Sequence, residues 1–316
     1  MTRQAPIHSG FGELTTAREA VGQRDLRGVI AIVTGGHAGI GLETTRALSG
    51  AGTTVIVGAR TLDKARAALA GIARVEVEAL DLFDPASIDA FAARFLESGR
   101  PLNMLVNNAG IMATPLARDR RGFESQLATN HLGHFQLTAR LWPALRKASD
   151  ARVVSLSSRG HRRSGVDFAD PHFERRPYDK WLAYGQSKTA NALFALALDA
   201  RGEAHRVRAF SVHPGSIITE LMRSMSDEEQ RAAIAASRKV SILKTPEQGA
   251  ATSVWCAMSP QLEGMGGVYC EDVDVAEAVP ADFPEQRGVR PWAMDRDLAE
   301  RLWTKSEDWT GVPFSV

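Results

Sequence analysis

The sequence predicts an α/β fold, a single doubly wound parallel sheet with helices on both faces, and three observations carry that reading. Continuous apolar, β-branched runs such as Val29–Val33 and Thr53–Gly58 have the composition of strands buried on both sides. Helical patterns alternate with such runs as far as Asn107, as parallel strands joined by right-handed crossovers require. The first run leads directly into Thr34-Gly-Gly-His-Ala-Gly-Ile-Gly41 and then a helical pattern over 42–49, so backbone N–H groups and a helix N-terminus converge where an anion would sit.

Each element follows from local pattern. Residues 1–28 are polar and mixed, with a short helix expected over 15–21, and are read as an extension ahead of a core domain spanning 29–270. The glycine spacing, Gly35, Gly39 and Gly41, is Gly-x-x-x-Gly-x-Gly; a tight turn that merely needs positive φ is the simpler reading, and strand before and helix after favour phosphate binding. The second strand ends at Ala59-Arg60, where a nucleotide-binding unit meets the adenosine ribose. An acid there suits NAD, whereas the Arg60 guanidinium, with Lys64 nearby, suits the 2′-phosphate of NADP; a solvated arginine at a helix start is the alternative. A helix over 63–70 precedes a strand over 74–80 ending at Asp81-Leu82, placed for an adenine amino group, while Asp84-Pro85 starts a helix over 85–96. The strand over 102–106 closes on Asn107-Asn108-Ala109-Gly110, and carboxyl ends of parallel strands are where ligands bind.

A long helix over 120–145, a strand over 152–156 ending at Ser157-Ser158, and a strand over 206–212 ending at His213-Pro214-Gly215 continue the alternation. His161, in an arginine-rich loop, reads as a solvated side chain. Between these strands Tyr184-Gly-Gln-Ser-Lys188 opens a helical run, and four residues on a helix share one face. An ammonium beside a phenol favours phenolate: at about 4 Å the attraction is roughly 1 kcal/mol in water and about 4 at an effective dielectric near 20, up to ~3 pK units. A helix over 246–258 and a strand over 267–270 complete the core, and residues 271–316 form a C-terminal extension expected to pack over the domain and either narrow its site or block an oligomer contact.

Composition limits the function. A formal net charge of +1 gives no footprint for nucleic acid or an acidic membrane, and no apolar run approaches the ~20 residues that span a bilayer. Two cysteines, Cys256 and Cys270, are too few for a disulfide framework or a zinc cluster, so no metal is expected, and a soluble cytoplasmic protein acting on small molecules follows.

Five ordered motifs, Thr34-Gly-x-x-x-Gly-Ile-Gly, Asn107-Asn-Ala-Gly, a serine after an apolar strand, Tyr184-x-x-x-Lys188 and His213-Pro-Gly, resemble the short-chain dehydrogenase/reductase family over residues 26–269. Ala59-Arg60 and Tyr178-Asp-Lys-Trp-Leu-Ala-Tyr-Gly-Gln-Ser-Lys resemble its retinol-dehydrogenase-like and carbonyl-reducing branch. The resemblance implies a Rossmann-type NADP(H)-dependent oxidoreductase moving a hydride between nicotinamide and a carbonyl or alcohol substrate. It places the catalytic set on Asn130, Ser158, Tyr184 and Lys188, with Ser157 as the fallback serine and a helix distortion at Asn130 holding a relay water. It places the cofactor on Gly35, His37, Gly39, Ile40, Gly41, Arg60, Asp81, Leu82, Asn108, Ala109 and Gly110, on Tyr184 and Lys188, and on Pro214, Gly215, Ile217 and Thr219. Residues 220–240, with Met222 and Met225, take the place of the family's mobile lid. A non-catalytic dinucleotide sensor and an epimerase or dehydratase remain the rival classes. Because Leu193, Phe194, Leu196 and Leu198 spread around several helix faces, a second cover is required; a homodimer through the helices over 127–145 and 189–198 is expected, with the two extensions as the competing cover.

Overall fold

The computed structural model describes residues 2–314; residues 1, 315 and 316, the outer ends of the two extensions, lie outside the described residues. The chain opens with helix α1 (Ala17–Val21), strand β1 (Ile30–Thr34), α2 (Gly39–Gly50), β2 (Thr54–Ala59), α3 (Leu62–Ala68), β3 (Val75–Ala79), α4 (Pro85–Glu97) and β4 (Met104–Asn107). Then come α5 (Ser125–Leu127), a π-helical turn (Ala128–Leu132), α6 (Gly133–Lys147), β5 (Ala151–Leu156), a 3-10 turn (Arg159–Arg163) and α7 (Lys180–Gly202). The remainder comprises β6 (Val207–His213), β7 (Ser216–Ile217), α8 (Asp227–Arg238), β8 (Leu243–Lys244), α9 (Pro246–Met258), β9 (Val268–Glu271), β10 (Asp274–Val275) and α10 (Arg296–Thr310).

The main sheet has the order β10-β9-β6-β5-β4-β1-β2-β3, with every pairing parallel except β9 with β10. Alternate residues of β1 feed opposite layers: Ala31 and Val33 pack with Leu48 and Trp255, whereas Ile32 packs with Ile88, Phe135 and Leu193. That two-sided burial is why the strands read as unbroken apolar runs. Strand β1 lies between β2 and β4, so strand order reverses there and the loops leaving β1 and β4 diverge to open a crevice. No helix of the described residues is long and apolar enough to cross a membrane.

The structure corrects one sequence-based expectation and adds contacts of the two extensions that the sequence did not show. The long helix starts at Ser125 and not near residue 120, because Asp119 accepts the N–H groups of Arg121 and Phe123 and folds 117–123 into a turn, leaving Glu124 to cap Gln126 and Leu127. The N-terminal extension is anchored: Ala17, Ala20 and Val21, at helical spacing, join the apolar layer beneath α9. Beside them the Gln4 amide donates to Tyr269 O and Ala276 O and accepts from Tyr269 N–H.

The apolar helix faces that called for a second cover also find one within the chain. Helix α10 lies on α7, and Trp303 stacks on Phe194 (ring centroids 6.1 Å) and meets Phe135 edge-on (5.2 Å) and Phe314 face-on (4.7 Å). Arg201, on α7, pairs with Glu300 at 2.5 Å and lies 4.2 Å from the Trp303 ring centroid. The apolar faces of α6 and α7 that motivated a homodimer are thus covered by the chain's own C-terminal helix. The polar look of α10 hid this, since Ala299, Leu302, Trp303 and Ser306 form only one buried stripe.

Candidate active site

A cleft of about 1110 Å³ runs along the carboxyl edge of the sheet. Its walls include Gly35, His37, Gly39, Ile40 and Gly41 after β1, Arg60 after β2, Asp81 and Leu82 after β3, and Asn108, Ala109 and Gly110 after β4. Ser158, Tyr184, Lys188, Pro214, Gly215, Ile217 and Thr219 line its other end. Of the expected catalytic and cofactor residues, Asn130 alone lies behind the wall, fully buried.

Two glycines show why the turn after β1 must be bare. Gly35 has φ of 65° and a Cβ there would sit 3.1 Å from Ala109 Cβ, while one on Gly41 would lie 2.4 Å from Gly35 O and 2.5 Å from Asn108 Nδ2. Thr34 Oγ1 clamps the two loops by accepting from Asn108 N–H and Ala109 N–H, both at 2.9 Å. At this end Arg60 is exposed and Lys64 pairs with Glu220 at 2.9 Å. His37 Nδ1 is buried without a partner, and burial, followed by the nearby Lys64 charge, lowers its pKa. Open backbone amides, a guanidinium, an ammonium and an orphaned imidazole nitrogen fit a dinucleotide with an anionic adenosine end. Asp84 caps α4 as the sequence indicated, and Asp81 also caps its own turn, accepting from Phe83 N–H at 3.0 Å.

At the other end α7 is capped by Asp179 and carries Tyr184 and Lys188 along one face, with the Lys188 ammonium 5.6 Å from the Tyr184 ring centroid. That ammonium donates to Leu156 O at 2.8 Å. The electrostatics differ from the expectation drawn from spacing. Burial pushes the Tyr184 phenol up to about 12, opposed only by the Ser158 hydroxyl, and burial pulls Lys188 down to about 7. Desolvation disfavours both charged forms, so in the protein alone it outweighs the attraction that would make a phenolate. Ser157 is spent on the fold, its hydroxyl donating to Lys188 O at 2.7 Å, whereas Ser158, half-buried, borders the cleft.

Asn130 sits in the π turn, the helix distortion anticipated from its sequence context. Its amide oxygen accepts from Ile111 N–H (2.9 Å), and its Nδ2 donates to Ile111 O (3.0 Å) and Ser187 Oγ (2.9 Å), tying the loop after β4 to α7. The Asn130 carbonyl meets His134 Nδ1 at 2.9 Å, and His134 Nε2 meets Thr34 Oγ1 at 2.9 Å. A carbonyl only accepts, so His134 carries its proton on Nδ1 and receives the threonine hydroxyl on Nε2.

His161 is the residue that sequence reasoning misplaced. It is 1% exposed, not solvated, and burial holds its pKa down to about 4. Nε2 accepts the Arg290 backbone N–H at 3.2 Å, which fixes the proton on Nδ1, and Nδ1 donates to Ser158 O at 2.7 Å. Tyr269 Oη lies 3.2 Å from the same Nδ1, and Trp292 Nε1 donates to His161 O at 2.8 Å. The C-terminal extension therefore grips the backbone of the serine loop. Only the pairing of an arginine-rich loop with a tail more than a hundred residues away would have revealed this, and no local pattern encodes it.

The outer wall of the cleft is apolar where Met222 and Met225 pack with Met112, Ala113, Trp181 and Ile234. The segment over 220–240 folds as a 3-10 turn (Glu220–Ser224) and then α8, and Gln286 of the C-terminal extension borders the opening.

A doubly wound sheet with a bare glycine turn at its strand-order reversal, facing a Tyr-Lys pair on the next helix, defines a nucleotide-binding α/β protein with a polar reaction site. Residues 29–230 match the short chain dehydrogenase family model, and the chain belongs to that family, resembling its retinol-dehydrogenase-like branch. It is similar to a probable oxidoreductase of Streptomyces lividans, 46% identical over 90% of this chain and 98% of that one. It is also similar to retinol dehydrogenase 11 of Mus musculus, 37% identical over 91% of this chain and 88% of that one. Among solved structures, an uncharacterized protein from Mycobacterium paratuberculosis superposes with a TM-score of 0.73 at 33% identity, covering 94% of this chain and 98% of that one.

Proposed function

We propose that the protein is an NADP(H)-dependent reductase of small-molecule carbonyl compounds, with Tyr184 as the general acid. The observation that carries this reading is the convergence of Ser158, Tyr184 and Lys188 on the same cleft as the glycine turn and Arg60. Bound at the glycine turn, the nicotinamide dinucleotide supplies the hydride. Arg60 and Lys64 would hold the 2′-phosphate, with His37 beside it, and the backbone around Pro214, Ile217 and Thr219 would orient the nicotinamide end.

The chain's own part is proton chemistry. A phenol held up to about 12 is protonated at neutral pH, so Tyr184 Oη is poised to donate to a substrate oxygen, the protonation state that carbonyl reduction needs. Ser158 donates a hydrogen bond to that oxygen and fixes it against Oη. Lys188, at about 7, exchanges charge near working pH and offsets the phenolate left after donation. A water beside Lys188 would return the proton, and Asn130, in the π turn, positions that wall by tying the loop after β4 to α7. Buried Met222 and Met225 of the lid, with the half-buried Trp181 of α7 beside them, shield the reacting oxygen from solvent.

A panel of aldehydes, steroids, retinoids, quinones and sugar ketones, scored by loss of NADPH absorbance and repeated with NADH, tests the reading. Consumption of NADPH with at least one class supports it. Tight dinucleotide binding with no turnover of any class in either direction would point to a sensor.

A further inference from the structure

We infer that Arg159 and Arg162 form an anion subsite beside Ser158 and Tyr184, and that the carbonyl substrate carries a carboxylate. This rests on the reductase reading and narrows its substrate class. Residues three apart in a 3-10 turn eclipse one another, so Arg159 and Arg162 lie on one side of the turn, where both border the cleft, while His161 is buried within the protein. Arg163, exposed at the rim, adds a third charge.

These charges lack counterions. Among the described residues no carboxylate lies within 4 Å of any of the three guanidiniums. The glutamates that border the cleft are already committed, Glu220 to Lys64 and Glu229 to Lys180. Glu271, whose charge reaches both Arg159 and Arg162, is itself pushed up to about 7 by burial and so is only partly ionised at neutral pH. Arg159 Nη2 donates to Ser216 Oγ at 2.7 Å and Arg162 Nη2 to Phe283 O at 3.4 Å. Arg162 Nε is buried with no partner. Burial, and for Arg162 its neighbours Arg290 and Arg159, disfavour the charged forms, a strain that an incoming anion relieves.

The cofactor's phosphates belong with the glycine turn and Arg60, so the negative charge at the serine end must come from the substrate. Its uncharged body would lie along Met112, Trp181, Met222 and Met225.

The test compares acids with their neutral esters. With NADPH, kcat/KM is measured for 3- and 4-carboxybenzaldehyde and succinic semialdehyde against their methyl esters, at low and high salt. The inference expects at least one acid to exceed its ester by about tenfold or more, chiefly through KM, with the advantage shrinking as salt rises. In Arg162→Gln the acid-to-ester ratio should collapse toward one, and Arg162→Lys should restore part of it. Esters equal to or better than every acid in the wild-type protein would overturn the subsite, and that result needs no variant. If none of the six compounds is turned over, 4-methylbenzoate and its methyl ester are titrated calorimetrically onto the NADP-loaded protein. Salt-sensitive binding of the acid alone then upholds the subsite and leaves the reductase reading to the wider substrate panel, and absence of acid binding rejects the subsite.

Discussion

Replacing Lys188 by methionine should make the protein without cofactor more stable while stripping it of activity. The ammonium is buried and its pKa falls from 10.5 to about 7 through desolvation. Between those values the unfolded chain binds a proton that the folded chain does not, so wild-type stability falls as pH drops from above 10 toward 7 and levels off below. At about 1.4 kcal/mol per pH unit, this penalty is about 2 kcal/mol at pH 9 and about 4 at pH 7. Against it stands the bond to Leu156 O, worth roughly 1.5–3 kcal/mol for a charged donor. The Leu156 carbonyl is not orphaned by the substitution, because Asn191 Nδ2 also donates to it at 2.8 Å. The net expectation is a gain of about 1–3 kcal/mol at pH 7 that declines and changes sign toward pH 9–10. Urea unfolding of wild type and Lys188→Met at pH 7, 8 and 9, without cofactor, measures it. A loss of stability at pH 7, or a gain independent of pH, would show that the lysine is not held against its charge.

Tyr184→Phe should keep the buried ring and cofactor binding, read by NADPH fluorescence titration, and lower kcat by about 10²–10⁴-fold, the range of general acid catalysis. Arg60→Asp should weaken NADPH binding by about 2–4 kcal/mol while NADH binding holds or rises, so a wild-type preference for NADH in kcat/KM would remove Arg60 from the site. His161→Phe should reduce kcat with NADPH affinity retained, and His161→Asn, which keeps an N–H for Ser158 O, should recover part of the rate. Light scattering at micromolar protein should give a mass near 34.2 kDa, since α10 occupies the face a partner would need; a doubled mass would require a different interface.

What could be read from sequence was local. Gly35, Gly39 and Gly41 follow β1 by a fixed number of residues, and Tyr184 and Lys188 share a helix face, so spacing alone places each pair of features. The positions of β1, β2 and β4 followed from apolar runs for the same reason. What escaped was long in sequence or environmental. The His131–Ser306 contact at 2.7 Å spans 175 residues, and the Arg290–His161 bond spans 129. The phenol's pKa was misjudged because a helical spacing gives the distance to an ammonium but not the burial around it. Arg60 kept its two readings, since its exposure leaves both a solvated and a phosphate-binding role open to the same side chain.

The grip of residues 289–314 on the serine loop and on α7 has a consequence for biosynthesis. Synthesis runs from the N-terminus, so sheet, glycine turn, Tyr184 and Lys188 all leave the ribosome before the segment that fixes the His161 tautomer and roofs Phe135 and Phe194. Until that segment docks, the serine loop lacks the Arg290 and Trp292 contacts and the aromatic face of α6 and α7 lacks its roof.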